Sequence, residues 1–175
     1  MTLWHQDVYA KAYRFAADVH NGQLLPGTEL PYIVHVTLVA MEIVAAFQYE
    51  KDHDAELAVQ CALLHDVIED TATTYGEVRE AFGLRVADGV LALSKDDKIE
   101  KTARMADSLR RIRTQSREIW MVKMADRITN LHLPFPSHWN HERIDAYQQE
   151  AVAIHGELAE SSPYLAERME ALIAR

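Results

Sequence analysis

Apolar residues recur at steps of three and four along nearly the whole chain, and no stretch alternates apolar and polar positions for any length. Val8, Ala12, Phe15, Ala16 and Val19 form one such stripe, which predicts an amphipathic helix over about 6–20. Asn21-Gly22 stops it, and Pro26-Gly27 and Pro31 mark a loop. A second helix follows over about 32–49, through Val39, Met41, Ile43 and Val44. Beyond the polar break Glu50-Lys51-Asp52-His53-Asp54, a third and largely apolar helix is expected over about 55–69. Thr71 to Thr74 make a poor helix interior, and Thr74-Tyr75-Gly76-Glu77 reads as a capping box that opens a short helix to Phe82, closed by Gly83. Apolar periodicity returns over 84–94 and over 116–131, where Ile119, Trp120, Val122, Met124 and Ala125 face inward. Pro134 and Pro136 then break the chain, and two helices, about 140–160 and 164–174, finish it. The expected fold is all-α, a single-domain helical bundle over 1–175.

One stretch departs from simple amphipathicity. In Cys61-Ala62-Leu63-Leu64-His65-Asp66-Val67-Ile68-Glu69-Asp70, four polar side chains interrupt an otherwise apolar helix. At helical spacing His65 and Glu69, and Asp66 and Asp70, are neighbours one turn apart, so the four are expected to form a compact patch. Burying a histidine and three carboxylates is costly without compensation, and a divalent cation supplies it. Two further donors stand in apolar surroundings: His35, after a proline-containing loop, and Asp126, after Met124-Ala125. Two imidazoles and two carboxylates suit Mn²⁺, Fe²⁺ or Zn²⁺, with positions left for water and a phosphate oxygen. The other histidines (His20, His53, His155) read as surface or capping residues, and His138 and His141 flank Trp139 where they could edge a site.

Composition narrows the partners. A net charge of −9 is wrong for a general nucleic-acid binder, which needs a basic face, and no apolar run is long enough to span a bilayer. A single cysteine, Cys61, rules out an internal disulfide, and the first residues lack a signal-peptide pattern; both point to the cytoplasm. A local basic run from Lys95 to Arg113, with Lys98, Lys101, Arg104, Arg110 and Arg111, could anchor a phosphorylated small molecule, although the run alone reads first as a solvated helix face.

The motifs Pro31-Tyr32-Ile33-Val34-His35, Ala62 to Thr71, Phe82-Gly83 and Val122 to Leu131, in this order and spacing, resemble the HD superfamily of metal-dependent phosphohydrolases. The resemblance is closer to the hydrolase domain of RelA/SpoT homologues and covers about residues 10–147, which implies a stand-alone small alarmone hydrolase of the metazoan SpoT-homologue type. It implies that His35, His65, Asp66 and Asp126 bind the metal, Mn²⁺ in the family, with Fe²⁺, Co²⁺ or Zn²⁺ as other ions the donors suit. It implies further that Glu69 and Asp70 are catalytic and that Lys101, Asn130, Arg143 and Tyr147 contact the nucleotide. The implied reaction is hydrolysis of the 3′-pyrophosphate of (p)ppGpp or (p)ppApp, giving pyrophosphate and GDP/GTP or ADP/ATP. The alternatives are another HD phosphohydrolase (a nucleotidase, a phosphodiesterase or an NADPH phosphatase) or a catalytically silent nucleotide sensor. One departure stands out: where the family carries an arginine that stacks on the base, this chain reads Gln23-Leu24-Leu25-Pro26-Gly27, without a cation. A leucine can cover a base face, but the cation–π contribution is lost, and with it the argument for guanine over adenine.

Overall fold

The computed structural model describes residues 5–96, 98–132, 135–136 and 138–174. Among these, helices and turns account for all regular structure, apart from one isolated bridge between Leu24 and Pro31. The helices are α1 (Gln6–Val19), α2 (Ile33–Ala46), α3 (Ala55–Leu64), α4 (Val67–Asp70), α5 (Tyr75–Phe82), α6 (Leu84–Leu93), α7 (Arg104–Arg113), α8 (Arg117–His132), α9 (His141–Leu158) and α10 (Pro163–Ile173). Short 3₁₀ turns at Lys101–Ala103 and Ala159–Ser161 lead into α7 and out of α9. The all-α expectation holds. The break expected at Pro134 and the reading of the first four residues lie outside the described residues.

Local chemistry sets the helix ends. The Asp54 carboxylate accepts from the Leu57 amide at 3.1 Å to start α3. Thr74 and Glu77 form the anticipated capping box of α5, Asn140 caps α9, and Ser162 with Pro163 opens α10. Gly83, at φ 87°, joins α5 directly to α6 in a conformation that favours glycine. Helices α2, α3 and α8 form the centre of the bundle, and α1, α6, α9 and α10 pack around them. Their interior faces merge into one buried cluster that includes Ile43, Leu63, Leu64, Met121, Met124 and Ile128. Cys61 belongs to this core, and burial pushes its thiol above the ordinary range, so it is an inert packing residue.

The third helix departs from expectation. It does not run unbroken over 55–69: α3 stops at Leu64, His65 and Asp66 make a turn, and α4 is a single turn, closed by the Asp70 amide donating to the Asp66 carbonyl at 2.8 Å. The reason is geometric. Adjacent residues of an α-helix point about 100° apart, so they cannot aim at one centre unless the helix breaks between them.

Close packing is tightest where α6 crosses α3 and α8. A Cβ on Gly89 would stand 2.5 Å from Ile119 Cδ1 and 3.0 Å from Cys61 Sγ. Gly89→Ala should therefore lower unfolding stability by about 1–3 kcal/mol in urea titrations, overpacking outweighing the better helix propensity. Gly156→Ala, on α9 with nothing within 4 Å of the added carbon, should raise it by up to about 1 kcal/mol.

Candidate metal centre

The break between α3 and α4 faces the first turn of α2 and the middle of α8. His65 Nε2 stands 3.3 Å from His35 Nε2, 2.8 Å from Asp66 Oδ2 and 3.8 Å from Asp126 Oδ1. His35 Nε2 lies 3.4 Å from Asp126 Oδ1 and 3.7 Å from Asp66 Oδ2. Donors each about 2.1 Å from one ion stand roughly 3–3.4 Å from one another, so this spacing fits a shared cation. Two imidazole nitrogens facing each other beside two carboxylates also make a poor hydrogen-bonding set by themselves, since at most one of each facing pair can donate. The structure brings together the four residues expected to hold a metal, and His35, His65 and Asp126 alone form a group able to grip a divalent ion.

Surrounding hydrogen bonds orient these donors. His65 Nδ1 donates to the Ala62 carbonyl at 2.8 Å, which leaves Nε2 with its lone pair toward the centre. Asp66 accepts from the Tyr32 hydroxyl at 2.5 Å. Asp126 accepts from the Asn130 amide at 2.6 Å and pairs with buried Lys123 at 3.2 Å. Burial pulls the His65 imidazole down, but the Asp66 and Asp126 carboxylates outweigh it and raise its pKa to about 9. Burial alone would raise both carboxyls; His65 holds Asp66 below the usual range, and Lys123 with the histidines does the same for Asp126. The ion-free centre thus draws in a proton, which a divalent cation would displace.

A cavity of about 170 Å³ opens over this centre, lined also by Glu69, Asp70, Lys95, Asn130 and Tyr147. Both oxygens of Glu69 are held by Lys95: Oε2 by its amide at 2.7 Å and Oε1 by its ammonium at 2.8 Å. Burial would lower that ammonium, yet Glu69, with Asp126 and Asp66 behind it, raises it above the ordinary value. Asp70 has no such direct pairing, and Lys95 and the Tyr32 hydroxyl offset its surroundings only in part. Burial, reinforced by Asp66 and Glu69, lifts its pKa to about 6. The patch expected of the four motif residues is therefore divided: His65 and Asp66 turn to the centre, whereas Glu69 and Asp70 line the cavity above it.

A wider cleft of about 640 Å³, between the 3₁₀ turn, α7 and α9, shares Lys95, Tyr147 and Glu150 with this cavity. Lys101 and Arg143 line this cleft, and Tyr147 lines both spaces. The Arg143 guanidinium lies 4.5 Å above the Trp139 ring, which fixes its plane. The basic run splits by role. Lys95, Lys101 and Arg104 face the clefts, whereas Arg111 caps the carbonyls of Leu91, Ala92 and Ser94 at the end of α6 and joins Arg110 on Asp107. Arg127 braces the neighbouring helix α9, donating to the Tyr147 carbonyl and to Glu150. The two loop leucines also part ways: Leu25 is buried and lines the cavity with Pro26, while Leu24 is 56% exposed.

His20 is the C-cap of α1, one of the two places expected for it, but it is buried, packing 4.8 Å from the Tyr32 ring. Neither His138 nor His141 is among the residues lining the two clefts. The supporting roles of Tyr32 and Lys123, and the pairing of Lys95 with Glu69, are not marked in the sequence. Tyr32 and Lys123 each precede a metal donor by three residues, a helical spacing that puts supporting side chains on the donor's face.

Residues 12–163 match the family model described as HD domain. The chain is 35% identical over 130 residues to a guanosine-3′,5′-bis(diphosphate) 3′-pyrophosphohydrolase of Aquifex aeolicus, covering 73% of this chain but 18% of that one. It spans about a fifth of the length of the first curated relatives it matches. Shorter relatives align along most of their length. The guanosine-3′,5′-bis(diphosphate) 3′-pyrophosphohydrolase MESH1 of Danio rerio is 29% identical over 94% of this chain and 92% of its own. That of Xenopus tropicalis is 32% identical over 79% and 78%. A solved structure described as a metazoan orthologue of SpoT that hydrolyses ppGpp superposes with a TM-score of 0.85 at 25% identity, covering 98% of this chain and 96% of its own.

Proposed function

The chain belongs to the HD-domain family, and from that premise we propose that it is a metal-dependent hydrolase of guanosine 3′,5′-bis(diphosphate), releasing pyrophosphate from the 3′ position. The observation that carries this reading is the adjacency of the two spaces, which share Lys95, Tyr147 and Glu150: a donor set for a cation, roofed by two carboxylates, beside a cleft lined by Lys101, Arg104 and Arg143. The names borne by the MESH1 relatives, which align over most of their length, support the same substrate.

In this reading His35, His65, Asp66 and Asp126 hold the ion. A divalent cation there, Mn²⁺ by family resemblance, would neutralise phosphoryl oxygens and make water a stronger acid. Water adds to the phosphorus next to the ribose, the bond from that phosphorus to the 3′-oxygen breaks, and the nucleoside leaves with a proton on that oxygen. Glu69 and Asp70 orient the water, receive its proton and return it to the departing 3′-oxygen. Asp70, with a pKa near 6, lies close to the range where a general base works best at neutral pH. Asn130 keeps Asp126 in place, and Lys101 and Arg143 balance the phosphates that extend into the wider cleft. Leu25 and Pro26 offer the base an apolar wall without charge.

The test is product analysis by anion exchange. Metal-loaded protein is incubated with guanosine and adenosine 3′,5′-bis(diphosphates) side by side. Pyrophosphate and GDP are expected, and the ratio of the two rates measures how far the uncharged wall selects a base. Absence of pyrophosphate from both substrates, with the ion bound, overturns the reading.

A further inference from the structure

Lys95 is, among the described residues, the one cationic side chain that lines both the cavity over the metal centre and the wider basic cleft. Any ligand reaching from one to the other passes it. Its two contacts with Glu69 are of different kinds. The main-chain amide places one carboxylate oxygen whatever the side chain, while the ammonium neutralises the other. An ammonium has three donors on a flexible stem, so it can take a second anionic partner without giving up the first.

We propose that Lys95 is a substrate-contacting residue: its ammonium bridges Glu69 and the pyrophosphate, so that the substrate's own charge weakens the cation's hold on the carboxylate at the moment of binding. Without substrate, the ion pair screens Glu69 and keeps the cavity mouth from repelling an anion. With substrate bound, the ammonium shares its donors with phosphate oxygens, and the carboxylate, less neutralised and still positioned by the amide, acts on water. One residue thereby links arrival of the substrate to activation of the site. This rests on the hydrolase reading above, and the experiment separates the two.

Steady-state kinetics with guanosine 3′,5′-bis(diphosphate) are measured for wild type, Lys95→Met and Lys95→Arg, together with calorimetric binding of inorganic pyrophosphate to each metal-loaded protein. Lys95→Met should lower kcat/KM at least tenfold and weaken pyrophosphate binding by a similar factor. Its melting temperature should stay near wild type, because the amide contact survives. Lys95→Arg should recover most of the pyrophosphate affinity, which a purely structural role would not explain. Wild-type turnover with Lys95→Met within twofold of it overturns the role of Lys95 and leaves the hydrolase reading standing. Absence of wild-type turnover overturns that reading, and equal pyrophosphate affinity in wild type and Lys95→Met then overturns the bridging contact as well.

Discussion

Replacing Glu69 and Asp70 together by Gln and Asn should cut pyrophosphate release by about 10²–10⁴-fold, the usual worth of a positioned proton acceptor, while the protein still folds and holds its ion. The substitutions keep shape. The single amide oxygen of Gln at position 69 can still accept from the Lys95 amide, and none of the side chains facing the centre is touched. Turnover is followed by chromatography, ion content by mass spectrometry and folding by thermal melting. The two single variants then divide the labour. Asp70, raised toward neutrality by burial and its acidic neighbours, should account for the larger share, and Glu69, paired directly with Lys95, for the smaller. A double variant that retains the full rate would remove both residues from the mechanism.

Stripping the ion with a chelator should abolish turnover reversibly and lower the melting temperature. An ion present at a hundred times its dissociation constant contributes about 2.7 kcal/mol to folding, and its removal forfeits that. Asp126→Ala should do more than remove a ligand. Lys123, only 7% exposed at its side chain, would lose its carboxylate, and breaking a buried pair costs about 3–5 kcal/mol. The variant should therefore melt below the chelated wild type and fail to recover on adding metal. Undiminished turnover in protein shown to be free of metal would exclude a role for the ion.

The helices were legible because burial imposes a helical period on nearly every segment, and the capping box of α5 and the proline start of α10 mark their own ends. The donors were legible because His35, His65, Asp66 and Asp126 interrupt apolar helices, where an uncompensated polar group is costly. Three features were hidden. The turn at His65 and Asp66 carries no glycine or proline, and only the convergence of α2 and α8 on that point demands it. Lys95 lay in a basic run whose members look alike in sequence but divide between the clefts and the end of α6. The burial of His20 was hidden too, because Tyr32 arrives from the start of the next helix to cover this helix-end histidine.

The dispersal of the donors over α2, the α3–α4 turn and α8 bears on how the protein comes into being. Every contact within the centre except that between the adjacent His65 and Asp66 closes a long loop of chain, and long-range closures are the slow part of folding. A nascent chain that has delivered only the His-Asp turn offers an ion two adjacent ligands and little hold. The full grip exists only after α8 has docked between α2 and α3. Capture of the ion is then a late event, and its free energy reinforces the whole bundle at once instead of trapping an early fragment around the wrong metal.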